Sequence, residues 1–524
     1  MRNSKKQLFT VSIVFTFLFY ILANGYRFFH SMHAGDSLYM VYQNDGGWEI
    51  ALGRFVQPFL VLLRGAITAP FLISVLSLLW IGLSVYFVAD FLEVKHNFSV
   101  ALIAAVMSCN ITILALNATF ISYLDFYVLA LFFSVFGVWL IKKGKPASLI
   151  LGSLSLSISL GIYQSYICVS IALVLIHFLT KMPEMPTFKS TFTRAVRYLL
   201  SFLAAGIVYY AAWRTIQAVF GIWTADSYNG MASIGDYSEV GMGSILASTY
   251  RNVLHHFIYP DTFITNSFRG ITMGLLWEQL VRLCNIAVFL MILFSLIKIN
   301  LVGKTNLWQK TAQLLIIVLF PFGINFVCFA SKGMEHPLMI YAFYFVYILA
   351  VKLTEDFFPD SGSGVFGKSP LPTNRKDKNL LWMIVPAAVL VLSWSNIVFS
   401  NQVYLKGELQ ENAAQSIMTR IVYRIETMED YIPGVTPVAF AGNFESSPCL
   451  SDMGPFEEIE VYGMGRTVMT YPGTDHAFLA YVLNLNINLT QVNSQDEAIL
   501  QMPVYPAQGS IAFVDGTLVV KVSE

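Results

Sequence analysis

The chain has 524 residues, of which 56% are hydrophobic, 15% aromatic and only 12% charged, against about 25% charged in an average soluble domain; this argues against a water-soluble fold and against disorder. Basic and acidic groups balance at 32 each, which leaves no electrostatic footprint for nucleic acid. The balance hides a split: residues 1–400 hold 27 basic and 17 acidic groups, whereas residues 401–524 hold 5 and 15. Two regions of different chemistry meet near residue 400.

A bilayer core of about 30 Å takes roughly 20 apolar residues per helical crossing. On that measure the apolar runs predict about eleven spans, near 8–27, 70–90, 98–117, 122–141, 147–162, 164–180, 198–219, 275–297, 311–330, 337–353 and 380–399. When alternate loops are assigned to opposite sides, the side of the N-terminus carries 19 Lys and Arg and the other side, the tail excluded, carries 6. The positive-inside bias then predicts a cytoplasmic N-terminus. An odd number of spans places the acidic tail outside. The basic start and long apolar run resemble a secretory signal with Ala23-Asn24-Gly25 as its cleavage site, but the run is longer than a signal core and is read as an uncleaved first span.

The expected fold is an all-α polytopic membrane bundle over 1–400 with outer loops at 28–69 and 220–274, followed by a small extracytoplasmic α/β domain over 401–524. Within that domain the pattern predicts a helix at 405–430 and strands at 436–441 and 511–522. Cys109, Cys168, Cys284 and Cys328 sit in apolar stretches and Cys449 stands alone in the tail, so no disulfide framework or zinc spacing is present. The neighbours His255 and His256 diverge by about 100° on a helix, and no metal site is predicted.

Ionisable side chains near a membrane are costly and therefore informative. The first outer loop carries Asp36, Asp45 and Arg54. Residues 48–62 read as an amphipathic helix lying in the interface, with Arg54 and Gln57 three apart on one face. A carboxylate there can take the proton from an attacking hydroxyl, and an arginine fork can stabilise a departing phosphate. The same residues also read as turn, N-cap and lipid contacts, with Arg54 paired to Glu49. Further polar groups fall at the same face. Asp125 opens a span, where the helix dipole also favours a carboxylate. Tyr163, Gln164 and Tyr166 occupy a short turn that suits sugar binding or an ordinary aromatic belt. Arg251 and His255 are four apart on a second interfacial helix, whose apolar stripe is Leu246, Tyr250, Val253, Leu254, Phe257 and Ile258. Lys332 and His336 are four apart before Pro337, and Arg214 near a span end can snorkel.

The run Gly35-Asp36, Asn44-Asp45 and Gly53-Arg54-Phe55, with Asn117-Ala-Thr-Phe120, Tyr123-Leu-Asp125, Ser159-Leu-Gly-Ile-Tyr-Gln-Ser-Tyr166, Phe322-Gly-Ile-Asn325 and His336-Pro-Leu-Met-Ile-Tyr341, resembles the bacterial type II glucosyltransferase family. Those are polytopic enzymes similar to the GT-C superfamily. The resemblance runs from about residue 20 to 445 and departs at Phe55, where the family usually has Trp. It implies an undecaprenyl-phosphate glucose donor, a surface glycan acceptor and no cofactor. It also implies a catalytic aspartate in the first outer loop, which falls on Asp36 first and Asp45 second, with Arg54 on phosphate or glycan. The competing readings are a flippase or transporter of a lipid-linked glycan, and a glycan polymerase or ligase.

Overall fold

The computed structural model describes residues 4–40, 46–185, 187–225, 241–258, 274–302, 305–357, 380–451, 453–457, 459–470 and 473–524. It is mostly helical. In chain order the helices are α1 (Lys5–Asn24), α2 (Tyr26–Phe29), α3 (Gly35–Met40), α4 (Gly47–Ala51), α5 (Gln57–Arg64), α6 (Pro70–Phe91), α7 (Asn97–Ser108), α8 (Ile111–Ala118), α9 (Ile121–Lys142), α10 (Pro146–Ile162), α11 (Ile167–Lys181), α12 (Phe188–Phe220), α13 (Met242–Ile258), α14 (Gly274–Val302), α15 (Leu307–Ile324), α16 (Phe326–Ala330), α17 (Phe345–Phe357) and α18 (Ile384–Glu426). Two short helices follow in the C-terminal domain, α19 (Thr474–Ala477) and α20 (Glu497–Leu500), with strands β1 (Pro437–Ala441), β2 (Asn488–Leu489), β3 (Ile511–Val514) and β4 (Thr517–Lys521).

Among the described residues, eight helical segments are long and apolar enough to cross a membrane, or nine if α7 and α8 count as one bent span. This is fewer than the eleven expected, because three of the apolar runs do not make one full-length helix. The run at 98–117 bends by 44° between α7 and α8. Asn110 causes the break: its Nδ2 donates to the carbonyls of Val106 and Met107, while its Oδ1 accepts from the Ile113 amide, so one side chain closes a helix and caps the next. The run at 147–162 forms α10, of 17 residues. The run at 337–353 enters as coil and a 3₁₀ turn at Tyr341–Tyr344, leaving α17 with 13 residues.

At one end of the bundle Glu93 binds Lys142 at 2.8 Å and Lys181 at 3.2 Å, and Lys352 binds Glu355 and Asp356. The C-terminal domain sits at the other end. It is reached by α18, whose 43 residues span about 65 Å at 1.5 Å each, twice a bilayer core. No helix end falls at residue 400. The distal part of α18 buries Ala414, Ile417, Met418, Ile421, Val422 and Ile425 in the domain core. The sheet has the order β2-β1-β4-β3, with β1 parallel to both neighbours. The β3–β4 hairpin turns on Asp515-Gly516, both at positive φ, the geometry a two-residue hairpin favours.

The domain is also locked to the bundle. Leu38 of α3 is fully buried in the domain core. Conversely Ile459 and Val461 of the domain are buried in the core of the bundle. His33 closes a further bridge, with Glu411 of α18 accepting from the His33 amide at 3.0 Å and meeting its ring Nδ1 at 2.9 Å.

Candidate active site

Residues 48–62 do not form one interfacial helix. Between α4 and α5 the chain breaks at Leu52–Val56, with Gly53 at φ +77°. A side chain there would be strained by the backbone and would run into the Tyr209 hydroxyl and the Gln164 amide. Gln164 Nε2 donates to the Leu52 carbonyl at 2.8 Å and to Tyr209 Oη at 3.1 Å, and Trp213 Nε1 donates to the Ile50 carbonyl at 2.7 Å. Gln57 is fully buried and donates to the Ile162 carbonyl at 2.7 Å. Thus Gln57 and Gln164 fasten the loop to α10 and α12, and Arg54 lies in the break rather than on a helical face shared with Gln57.

Arg54 stands with its guanidinium carbon 4.9 Å from the Tyr163 ring centroid, a cation–π contact. Its charge acts on Tyr123, Tyr209 and His336, so segments from α9, α10–α11, α12 and the 331–337 loop converge on it. Tyr123 donates to Glu49 Oε1 at 2.7 Å. Behind them runs a file of rings: Tyr123 on Tyr127, Tyr127 on Tyr163 with centroids 4.0 Å apart, Tyr163 against Tyr166, and Tyr166 against Tyr341. The Tyr166 hydroxyl is buried and has no hydrogen-bond partner among the described residues.

Asp36 lies in the first turn of α3, behind a turn in which Ser37 Oγ accepts from the Ala34 amide. The helix packs against both α9 and α19. Burial raises the Asp36 carboxyl above its ordinary value. Asp45 lies outside the described residues.

His336 is stacked on Tyr462 of the C-terminal domain, centroids 4.8 Å apart and planes within 5°. Burial, and then the charge of Arg54, push its imidazole down to about 4, so it is neutral at pH 7. Its Nδ1 has no partner among the described residues. Tyr462 also lies over Phe120, and its carbonyl accepts from Thr119 Oγ1 at 2.8 Å. The segment around Tyr462 is therefore a strap laid from the C-terminal domain across the bundle end.

The other candidates are placed differently. Asp125 forms a buried ion pair with Arg64 at 2.6 Å, and Arg64 also donates to the Ser122 carbonyl at 2.8 Å. Arg251 and His255 are exposed on α13, where Ile245, Thr249, Val253 and Phe257 are buried against the protein and Leu246, Leu254 and Ile258 are also exposed. Half-buried Lys332 adopts φ +57° in a loop. Beside it Glu335 accepts from Asn325 Nδ2 at 2.6 Å and Asn252 Nδ2 at 3.4 Å, which pins α13 to the 331–337 loop. Burial raises the Glu335 carboxyl.

Sequence reasoning passed over Tyr123, Tyr209, Glu335 and Tyr462 as contributors. For Tyr462 no local signal exists, since it is one aromatic in a polar tail. Asn325 and Tyr123 did stand inside the family-like segments. Among the described residues no three His, Cys, Asp or Glu side chains group as a metal site.

No curated protein and no solved structure matches the chain. The sequence model described as glucosyl transferase GtrII matches residues 25–354, more than half of the chain, and takes in every residue of the Arg54 cluster while stopping short of α18 and the C-terminal domain. The chain belongs to the GtrII glucosyl transferase family, and its apolar helices make it a membrane protein of that family.

Proposed function

We propose that the chain transfers glucose from a polyprenyl-phosphate donor to a surface glycan at the outer face of a bacterial cytoplasmic membrane, with about eleven crossings in a GT-C-like bundle, a cytoplasmic N-terminus and the C-terminal domain outside. The observation that carries this reading is the convergence of several segments on Arg54 at the end of the bundle that also holds Asp36.

In this reading an acceptor hydroxyl attacks the anomeric carbon and loses its proton to the Asp36 carboxylate, or to Asp45. The bond from that carbon to the phosphate oxygen breaks, and the lipid phosphate leaves with the electron pair. Arg54 meets the departing phosphate, where a positive charge in a site that excludes water acts most strongly on the transition state. A single displacement inverts the anomeric centre, so a β-linked donor gives an α-linked product. Tyr163 and neutral His336 face the sugar, since an aromatic face and an unpartnered ring nitrogen suit hydroxylated rings. Arg251 and His255 on the exposed face of α13, and Lys332, meet the lipid phosphate from the interface. Gln57, Gln164 and Asp125 act by holding the loops in place. No metal or other cofactor takes part.

The test is transfer of radiolabelled glucose from synthetic polyprenyl-phosphate glucose to envelope glycan by the purified protein, beside Asp36→Asn and Asp45→Asn. Transfer that vanishes only in Asp36→Asn names the base. Absence of transfer from every polyprenyl-phosphate sugar, with the labelled lipid still bound, would replace this reading with a flippase or transporter.

A further inference from the structure

The C-terminal domain contains a cavity of about 490 Å³ at the carboxyl ends of the parallel strands β1 and β2, within the size range of small-ligand sites and at the edge of a parallel sheet where ligands commonly bind. Its polar wall is made by Asn443, Thr470, Asp475, His476, Thr490 and Gln491. Phe440 and Phe444, an edge-to-face pair with centroids 5.2 Å apart, supply the apolar wall.

Three features identify the occupant. First, amide, hydroxyl, carboxylate and imidazole groups beside aromatic rings match the alternation of hydroxyls and C–H faces on a saccharide. Second, no Lys or Arg lines the cavity among the described residues, and the domain as a whole is acidic, with 15 acidic and 5 basic residues in 401–524. A phosphate, sulfate or uronate would find no counter-charge and would be repelled. Third, Thr470 Oγ1 on the cavity wall is buried without a hydrogen-bond partner among the described residues, a cost that a bound hydroxyl would remove.

The cavity is also placed to serve the site. The short helix α19 lines it through Thr474, Asp475 and His476 and packs on α3, the helix that carries Asp36. The short helix α19 thus touches both the cavity and the helix that carries the candidate base.

We propose that this cavity is a binding site for an uncharged oligosaccharide, and that it holds the acceptor glycan while one of its hydroxyls is presented at Asp36; the acceptor role rests on the transfer reading above. The cavity lies wholly outside the residues matched by the family, so acceptor choice is carried by a part of the chain separate from the transfer machinery.

Saturation-transfer NMR on the full-length protein in detergent tests it, with methyl glycosides of glucose, galactose, rhamnose and N-acetylglucosamine as neutral probes and methyl glucuronide as the charged one. Gln491→Ala and Thr490→Trp change exposed positions, and an unchanged thermal midpoint establishes that each is folded. The expected result is a signal from at least one neutral probe, retained in Asp36→Asn and weakened by about 10-fold or more in both cavity variants, the weight of one or two hydrogen bonds. In the transfer assay the same variants raise the acceptor KM by a similar factor and leave the donor KM unchanged. Binding of neutral probes that ignores both cavity variants, binding of the glucuronide alone, or an unaltered acceptor KM overturns the proposal. Neutral binding lost in the cavity variants, in a protein that transfers nothing, would remove the acceptor role and the transfer reading while supporting the saccharide site.

Discussion

Arg54 and Arg64 stand ten residues apart in one loop and meet different surroundings. Arg64 is closed off: its guanidinium binds Asp125 at 2.6 Å, donates to the Ser122 carbonyl and covers the Phe126 ring at 4.2 Å, with both partners of the pair only 4% exposed. Arg54 instead lies in a helix break over the Tyr163 ring, where several segments meet. The nearby acids differ in the same way. Asp125 is paired with Arg64, whereas the partly buried Asp36 forms no ion pair among the described residues. An acid spent on a buried ion pair holds a loop in place, and one left without a partner keeps its affinity for a substrate proton.

The sharpest test of that contrast is at the two acids. Asp36→Asn is expected to lower transfer by roughly 10²–10⁴-fold, the usual worth of a general base, with folding intact. Because burial raises the Asp36 carboxyl, its proton is bound more tightly in the native state than in the unfolded chain, so this group lowers stability as pH rises from the unfolded pKa through the folded one. A thermal midpoint for Asp36→Asn equal to or above wild type at pH 7 agrees with this, and a lower one breaks it. In kcat/KM the acid limb is expected above the ordinary carboxylate range, falling as pH drops, and absent from Asp36→Asn.

At the closed pair the expected loss is of stability. Arg64→Ala strands a buried carboxylate and is expected to cost roughly 3–5 kcal/mol in denaturation, while Arg64→Leu with Asp125→Leu recovers most of it. If the double variant folds but transfers nothing, the pair belongs to the chemistry and the contrast collapses. A smaller effect is expected at Arg54→Lys, where an ammonium keeps the charge but loses the planar fork: about 10²-fold in kcat with little change in thermal midpoint. The smallest concerns the strap. Tyr462→Ala removes one stacking contact on His336, worth about 0.5–1.5 kcal/mol, and a rise in the imidazole pKa by NMR would register its exposure to water.

Much of the framework was legible from apolar run length, because a lipid-facing helix must be apolar along its whole length and satisfies its own backbone. What run length could not register was interruption by a single side chain, as at Asn110, or by a backbone demand, as at Gly53. Run length also could not tell which face of α13 packs on protein. Apolarity marks the buried side of a helix in water, but against lipid an exposed leucine costs nothing, and Thr249 faces inward while Leu246 and Leu254 face out. Of the site, Asp36 and Arg54 were visible as ionisable groups in an apolar context. Asp125 was visible in the same way, but its partner, 61 residues away, was not.

The sequence by itself determined a helical membrane chain with an acidic C-terminal domain, and it determined the family, because those properties are written in composition, run length and short local motifs. Only the tertiary structure decided that Arg64 is closed by Asp125, that α18 runs unbroken from bundle to domain, and that the domain reaches back through Leu38, Glu411 and Tyr462. Those are pairings between groups tens to hundreds of residues apart, and they arise from packing, which no local pattern encodes.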